Sequence, residues 1–245
     1  DGTPINQWNS NGERVPFVSG GDNVRDFFQT GITTRNHVAV TNQSETGDFR
    51  MGYTALNSRG IVPNTDLKRH TMSMSTGQDI GDRLRVRTNM NYVRSGSDNV
   101  PNAGYDESSS IMYNWIWFPR NTPIADLQDY WKPGQENVQQ ANVEELWTNN
   151  PWFLVNENTN GFQGDRLFGN TMVEWDWTDR VSVRFRQGVD INNEHREFRR
   201  AMSTKSVLLG SYREDELSFQ ETNSEVLVSY DGMDYDKDLN VTFSS

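Results

Sequence analysis

The sequence predicts an all-β fold: part of a transmembrane antiparallel β-barrel, with about eight strands in this chain and long loops that contain short helices. Segments in which apolar and polar residues alternate recur along the chain, and the connections between them are alternately short and long. The composition agrees, because only 33% of the 245 residues are hydrophobic while 11% are aromatic. Disordered chains are poor in aromatic residues, whereas a barrel keeps half of every strand and all of its loops in water.

The composition also excludes several classes of protein. The net charge of −11 argues against a nucleic-acid partner, since binding phosphate requires a basic surface. Without cysteine, the chain forms neither disulfides nor thiolate metal sites. No segment approaches the roughly 18 apolar residues of a membrane-spanning helix. The chain begins at Asp1 without a methionine and ends at Ser245 within an apparent strand, so we interpret it as a piece of a longer precursor.

The clearest strand covers residues 83–92, where the alternation is unbroken. One face carries apolar and aromatic side chains, among them Leu84, Val86, Met90 and Tyr92. The other face carries three guanidinium groups, those of Arg83, Arg85 and Arg87. Successive side chains of a strand point to opposite faces of its sheet. In a soluble sandwich the apolar face would lie inside, whereas in an outer-membrane barrel it faces lipid and the polar face lines the lumen.

Seven further strands are predicted from the same alternation, at residues 32–43, 48–56, 67–76, 167–177, 181–191, 216–230 and 239–243. In the strand at residues 167–177, the apolar side carries Val173, Trp175 and Trp177. Both tryptophans lie beside a short turn, where the aromatic girdle of a membrane barrel is found. We therefore predict that these three side chains face lipid, as do the four apolar ones of residues 83–92.

The connections between the strands alternate in length. Short turns are predicted at residues 44–47, 77–82, 178–180 and 231–238. Longer connections are predicted at residues 57–66, 95–164 and 192–215. Outer-membrane barrels have short periplasmic turns and long extracellular loops, whereas a Greek-key sandwich has no such strict alternation. The alternation therefore favours the barrel.

The connection at residues 95–164 is far longer than the about 12–15 residues beyond which a loop needs a structural or functional reason. It contains five of the eight tryptophans, and short helices are predicted in it at residues 108–118 and 125–130. Its aromatic side chains either contact a ligand or partner, or pack together as the loop's own small core. Packing is favoured for most of them, and the candidates for exposed ligand- or partner-binding side chains are Trp115, Trp117 and Trp152.

The arginines at 83, 85 and 87 are predicted to face the lumen. They could attract an anionic substrate or the surface of a plug, or they could pair with lumen-facing acids such as Glu174 and Asp176. Pairing is favoured, because a polar lumen routinely carries solvated charges.

Motifs for metal binding and catalysis are weak or missing. Residues 234–238 space their acids like the first half of a calcium loop, but the glycine at position six and the glutamate at position twelve are missing. A solvated hairpin turn is favoured there. No metal site or cofactor is predicted, and calcium in the extracellular loops is left open. The motifs of serine hydrolases, zinc peptidases and phosphate-binding loops are also missing, so we predict that the protein is not an enzyme.

A set of short segments occurs in a recognisable order along essentially the whole chain. They are residues 1–4 with Trp8, 23–31, 49–53, 60–69, 97–99, 149–152, 157–161 and 199–201. In combination they resemble the SusC/RagA family of TonB-dependent outer-membrane transporters. The combination is fairly specific, although each segment alone would be a weak signal.

The resemblance implies a much larger protein, with an N-terminal plug inside a barrel of about 22 strands. Residues 1–245 would be part of that one barrel domain, lacking the plug and the C-terminal strands, with residues 95–164 as a long extracellular loop. Family members lie in the outer membrane of Gram-negative cells and import oligosaccharides or peptides. The implied partners are a SusD-like surface lipoprotein, outer-membrane lipid, and TonB, which would act through the absent N-terminal part.

Two alternatives to transport stay open. A SusC-like barrel could act without transporting, as a scaffold or docking surface in an outer-membrane complex. Alternatively, the chain could be a soluble β-sandwich, either a carbohydrate-binding module or a glycosidase. The sandwich differs from the barrel in one respect that a structure can test, because it buries the apolar face that begins at Leu84 against a second layer.

Overall fold

The computed structural model describes residues 4–6, 10, 12–17, 19–143, 147–234 and 237–244, and describes side chains as far as residue 232. Two short strands, β1 (Pro4–Asn6) and β2 (Arg14–Pro16), pair with each other near the start of the chain. The main element is an antiparallel sheet of eight strands. These are β3 (Ile32–Gln43), β4 (Gly47–Arg59), β5 (Asp66–Ile80), β6 (Leu84–Ser97), β7 (Asn160–Asp176), β8 (Val181–Arg200), β9 (Ser211–Asp234) and β10 (Lys237–Ser244).

Each of the eight strands pairs with its neighbours in sequence, which is the topology of an up-and-down barrel wall. The sheet is open, since β3 and β10 pair with no further strand in the described part of the chain. The predicted fold class, part of an antiparallel β-barrel, is therefore confirmed.

The eight predicted strands coincide with the eight observed ones at their centres but are mostly too short. The bounds of β3 are those predicted, whereas β8 was predicted to end at residue 191 and continues to Arg200. The apolar alternation of β8 ends at Ile191, but backbone pairing with β9 continues through residues of β8 that are polar except for Phe198. The periodic signal is thus lost before the strand ends.

The connections alternate in length as predicted. Short turns join β3 to β4, β5 to β6 and β7 to β8, at residues 44–46, 81–83 and 177–180. The long connections, at residues 60–65, 98–159 and 201–210, all lie at the opposite end of the sheet. Gly81 enters the second of these turns with a φ of 61°, a left-handed conformation that glycine adopts at little cost. The two residues between β9 and β10, 235 and 236, lie outside the described residues, and they belong to the calcium-like motif at residues 234–238.

Three short helices and one 3-10 segment lie in the connections. They are α1 (Asn23–Phe27), α2 (Ile111–Trp117), the 3-10 segment Ile124–Leu127 and α3 (Pro151–Glu157). The predicted helices at residues 108–118 and 125–130 correspond to α2 and to the 3-10 segment. Helix α3 was not predicted, although Asn150 caps it by accepting the N–H groups of Trp152 and Phe153. None of the described helices is long and apolar enough to cross a membrane.

The hydrophobic core lies among the long connections rather than on the sheet. We refer to this cluster as the loop core; its buried members are Phe27, Val62, Ile111, Trp115, Phe118, Ile124, Leu127, Leu154 and Val155. They come from α1, from the connection at residues 60–65 and from the long loop. The loops at this end of the sheet therefore pack into one body.

Buried amide side chains hold the backbone around the loop core. Asn150 donates to the carbonyl oxygens of Leu127 and Ala141, at 2.9 and 2.8 Å. Gln140 donates to Asn149 Oδ1 at 2.8 Å and to the carbonyl oxygen of Ser203 at 2.6 Å. The second of these bonds ties the connection at residues 201–210 to the long loop. Buried amides with full hydrogen-bonding partners give a loop a single arrangement.

Candidate functional site

One face of the sheet carries a continuous band of apolar side chains, which we call the apolar band. The register aligns them in rows that cross several strands. One row is Val38, Tyr53, Met72, Tyr92, Leu167 and Ile191. The next is Val40, Met51, Met74, Met90, Gly169 and Val189. This face is the outer one if the sheet is part of a barrel wall.

The apolar band has a defined height. On β8 its outward side chains run from Val181 to Ile191, after which the same face presents His195, Glu197 and Arg199. The apolar part therefore spans 11 residues of β8. A tilted strand needs about 9–11 residues to cross the hydrocarbon core of a bilayer, so the band has the height of one crossing.

No described element covers the apolar band. The side chains of Val38 and Trp175 are 68% and 48% exposed, so no other part of the described chain packs over them. Within the described residues, no second sheet packs on this face. The soluble sandwich requires such a second layer, so the geometry argues against it.

Six of the seven side chains predicted to face lipid belong to the apolar band: Leu84, Val86, Met90, Tyr92, Val173 and Trp175. The seventh, Trp177, is the first residue of the turn that follows β7. The rings of Trp175 and Trp177 lie 6.5 Å apart beside the short turn at residues 177–180. Contact of these side chains with lipid stays a prediction.

The opposite, inner face of the sheet is charged and hydrogen-bonded. Arg85 Nη2 lies 2.6 Å from Glu174 Oε1 and 3.0 Å from Asp176 Oδ2. Glu174 is shared, because its other oxygen lies 2.7 Å from Arg184 Nη2. Arg87 pairs with Asp79 at 2.8 Å. The arginines at 85 and 87 thus have carboxylate partners on this face.

Arg83 differs from the other two arginines of its row. It lies at the turn, where it pairs with Asp179 at 3.0 Å and both side chains are mostly exposed. Ion pairs of this kind contribute about 0–1 kcal/mol.

Reversing the charge of Arg85 is expected to impair folding of the barrel. In Arg85→Glu, three carboxylates would lie together on the inner face, and their mutual repulsion should lower the stability of the folded barrel. The folded fraction of the full-length protein, measured by its heat-dependent mobility in gels, should fall. Arg83→Glu is the matched control and should fold normally, and equal folding of both variants would contradict the structural role of Arg85.

The three candidate tryptophans have different environments. Trp115 was expected to be exposed, and this is wrong: it is 3% exposed, between Phe27 and Phe118 in the loop core, with ring centroids 5.2 and 4.8 Å away. Trp152 is half-buried and donates its indole N–H to the carbonyl oxygen of Ile124 at 3.0 Å. Trp117 is 61% exposed at the end of α2. Of the three, Trp117 keeps the geometry for contact with a ligand or partner, which stays a prediction.

The structure adds no metal site to the sequence analysis. Among the described residues, no group of three or more histidine, aspartate or glutamate side chains is placed to hold a metal ion. Residues 235 and 236 of the calcium-like motif at residues 234–238 lie outside the described residues. The structure therefore does not test the resemblance of this motif to a calcium loop.

A cleft of about 710 Å³ opens on the inner face at the end of the long loops, and we call it the mouth cleft. The rings of Phe162 and Phe198 line it, together with Val100, Pro101 and Val207 from the loops. Three guanidinium groups also line it, those of Arg196, Arg200 and Arg213. Two carboxylates, those of Asp106 and Glu194, line it as well, so the mouth cleft combines apolar surface with charges of both signs.

None of these residues was predicted from the sequence to be a site residue, because residues 95–164 and 192–215 were assigned to loops. The signal was present, since Glu194, Arg196, Phe198 and Arg200 continue the inner-face positions of β8 at every second residue. The strand was not recognised there because the outer face of this part of β8 is polar as well, so the two faces do not alternate between apolar and polar residues.

The fold of the chain matches solved structures of a transporter. One is the structure of the RagAB peptide transporter, with a TM-score of 0.66 and 15% identity, covering 86% of this chain and 24% of that chain. The RagAB peptide importer in the 'open-open' state has a TM-score of 0.68 and 14% identity, and in the 'closed-closed' state a TM-score of 0.68 and 16% identity. Both matches to the importer cover 100% of this chain and 26% of that chain. This chain spans about a quarter of the length of the chains that it matches. No family model and no curated protein matches the sequence.

At this level of identity the likeness concerns the fold. The likeness of fold extends over essentially the whole chain. It confirms, for the fold, the resemblance to the SusC/RagA family that was inferred from the sequence. The matched structures are those of a transporter, and the prediction that this chain is not an enzyme stays a prediction.

Proposed function

We propose that this chain is part of the barrel of a SusC/RagA-like importer in the outer membrane of a Gram-negative cell. The observation that carries the proposal is the sheet itself, with its apolar band about one bilayer crossing high and its inner face lined by ion pairs. The likeness of fold to the RagAB peptide importer supports the proposal.

In the proposed mechanism, the long loops capture an oligosaccharide or a peptide at the cell surface. A SusD-like lipoprotein would cover the mouth, and TonB would move a plug encoded outside this chain so that the ligand enters the lumen. The part of this chain in the mechanism is structural and positional: the apolar band anchors the strands in lipid, and the loop core gives the mouth a fixed shape. The exposed Trp117 supports a contact with the lipoprotein, since large exposed aromatic side chains are common at interfaces.

Uptake by cells tests the proposal. Cells with the full-length gene should accumulate a fluorescent short peptide or a labelled oligosaccharide, and cells in which the gene is deleted should not. A protonophore should abolish the difference, because the movement of the plug depends on energy. The lipoprotein should also co-purify with the full-length barrel.

Equal accumulation with and without the gene would overturn the transport proposal. If the lipoprotein still co-purified in that case, the scaffold alternative would replace it. If the full-length protein partitioned into the soluble fraction, the membrane location itself would be wrong.

A further inference from the structure

The inner face of β3, β4 and β5 carries three arginines that have no partner among the described residues. Arg35, Arg50 and Arg69 alternate along their strands with side chains of the apolar band, so they point inward. All three are exposed, and none makes an ion pair or a hydrogen bond to a described residue. We call this part of the inner face the arginine wall. The whole chain has a net charge of −11, so the arginine wall is positive against an acidic background.

Most arginines on the rest of the inner face have an acid on a strand beside them. Arg85 is paired in this way with Glu174, as described above. Further along β7, Arg166 Nη2 lies 2.5 Å from Asp190 Oδ2 on β8. The positive charge on that side of the sheet is thus largely compensated within the sheet itself, whereas that of the arginine wall is not.

Two of the three arginines lie on strands whose neighbours on both sides are described. Their register partners are uncharged: Thr41 and Ser75 for Arg50, and Leu56 and Ser95 for Arg69. Asp48 lies on the same face two positions before Arg50, but not within salt-bridge distance of it. Arg35 is on β3, the edge of the described sheet, where an adjoining strand could contact it. Because no further strand can lie beside β4 or β5, acids that pair with Arg50 and Arg69 have to come from the lumen.

The arginine wall is wide and shallow. Arg35 and Arg69 are both register partners of Leu56, which places them about 10 Å apart, two strand spacings. Arg50 is level with Ser75, six positions from Arg69 along β5 (75 − 69), which is about 20 Å at the rise of a strand. The side chains between them on this face are mostly small, among them Ala39, Gly52, Thr54, Thr71 and Ser73. Positive charges spread over such a surface suit a folded protein face better than a small solute, which would reach only one of them at a time.

We propose that the arginine wall is the surface against which an acidic face of the plug is seated. This inference rests on the proposed function, which places a plug encoded outside this chain in the lumen, and it adds the chemistry and the position of the contact. Complementary charges fix the orientation in which two surfaces meet. The plug therefore has one seated orientation, with its carboxylates towards β3, β4 and β5. Since the ion pairs lie in a wet lumen, dissolved salt weakens them.

The conductance of planar lipid bilayers that contain the purified full-length protein tests the proposal. A seated plug keeps the conductance low, and urea added in steps releases the plug and opens the barrel. At a urea concentration that opens a small fraction of the wild type, Arg50→Gln combined with Arg69→Gln should raise the ratio of open to closed channels by about tenfold, the combined effect expected of two ion pairs. The difference should nearly disappear in about 1 M salt, where charges are screened beyond about 3 Å.

Two control variants separate the charge of the arginine wall from other effects. Arg94→Gln with Arg199→Gln removes the same number of charges from the outer face and should open at the urea concentration of the wild type. Arg50→Lys with Arg69→Lys keeps both positive charges on the inner face and should open close to the wild type. Heat-dependent mobility in gels verifies that each variant is folded before its conductance is compared.

Opening of the inner-face and outer-face glutamine variants at the same urea concentration would overturn the proposal. So would an unchanged opening of the inner-face variant accompanied by slower uptake of anionic solutes, because the arginines would then act on a solute instead of the plug. A wild type that is closed without urea, with no difference between the variants, would sink this inference and leave the proposed function intact. A wild type that conducts fully without urea would contradict the plug of the proposed function itself.

Discussion

Met90→Arg is expected to destabilise the full-length barrel by about 2–4 kcal/mol, the cost of a charged side chain on the lipid face of an outer-membrane barrel. Met90 lies within the apolar band, between Met74 and Gly169 in the register. A guanidinium there would have to leave water for hydrocarbon. Guanidinium-induced unfolding of the protein in lipid vesicles measures the change in the free energy of unfolding.

Asn89→Arg is the matched control, because Asn89 directly precedes Met90 on the same strand and lies exposed on the inner face. It should change stability by less than about 1 kcal/mol, as surface substitutions usually do. If the two variants were equally stable, the assignment of the apolar band to lipid would be wrong. If Asn89→Arg were the more damaging, the two faces would be interchanged.

Trp115→Ala is expected to destabilise the loop core by about 3–5 kcal/mol, the range for removing a buried tryptophan. Its ring contacts Phe27 and Phe118 and fills the space where α1 meets the long loop. The strands do not depend on it, so the variant should insert normally while its loops open. Limited proteolysis of the assembled protein should therefore cut within residues 98–159 much faster than in the wild type.

Two further variants separate packing from other effects. Trp115→Phe keeps a ring in the core, and since the indole N–H has no hydrogen-bond partner among the described residues, the loss should be small compared with that of alanine. Trp117→Ala removes an exposed ring and should leave the rate of cleavage unchanged. If Trp117→Ala and Trp115→Ala were cut at the same rate, the loop core would not be held by burial.

The sheet was largely predictable because each strand keeps a period of two where one of its faces is apolar. Leu84 to Tyr92 on β6 and Val181 to Ile191 on β8 carry that signal, and the structure has strands at both places, which continue to Ser97 and Arg200. Beyond Ile191 the outer face of β8 is polar and the inner face carries one apolar residue, Phe198, so the contrast between the two faces is weak. The ends of β8 and β9, and with them the mouth cleft, could not be found in this way.

The loops were predictable only in part. The helical segment around Ile111 was expected, but the burial of Trp115 depends on Phe27, which is 88 residues earlier in the chain (115 − 27). No local pattern reports such a contact. The start of α3 could have been found, because an asparagine followed by a proline is a typical beginning of a helix, as Asn150 and Pro151 are here. The ion pair of Arg85 with Glu174 was considered beforehand because both lie at inward positions of predicted strands.

The amide groups that hold the long loop have one more consequence. The buried side chains concerned are those of Asn99, Asn114, Gln140, Asn149, Asn150 and Asn158. Amides neither gain nor lose protons where carboxylates and imidazoles titrate, and bonds between neutral groups are not screened by dissolved ions. The hydrogen bonds of these amides should therefore persist in acidic, alkaline, fresh or saline surroundings, while the carboxylate of Asp106 and the charged lining of the cleft respond to each of them.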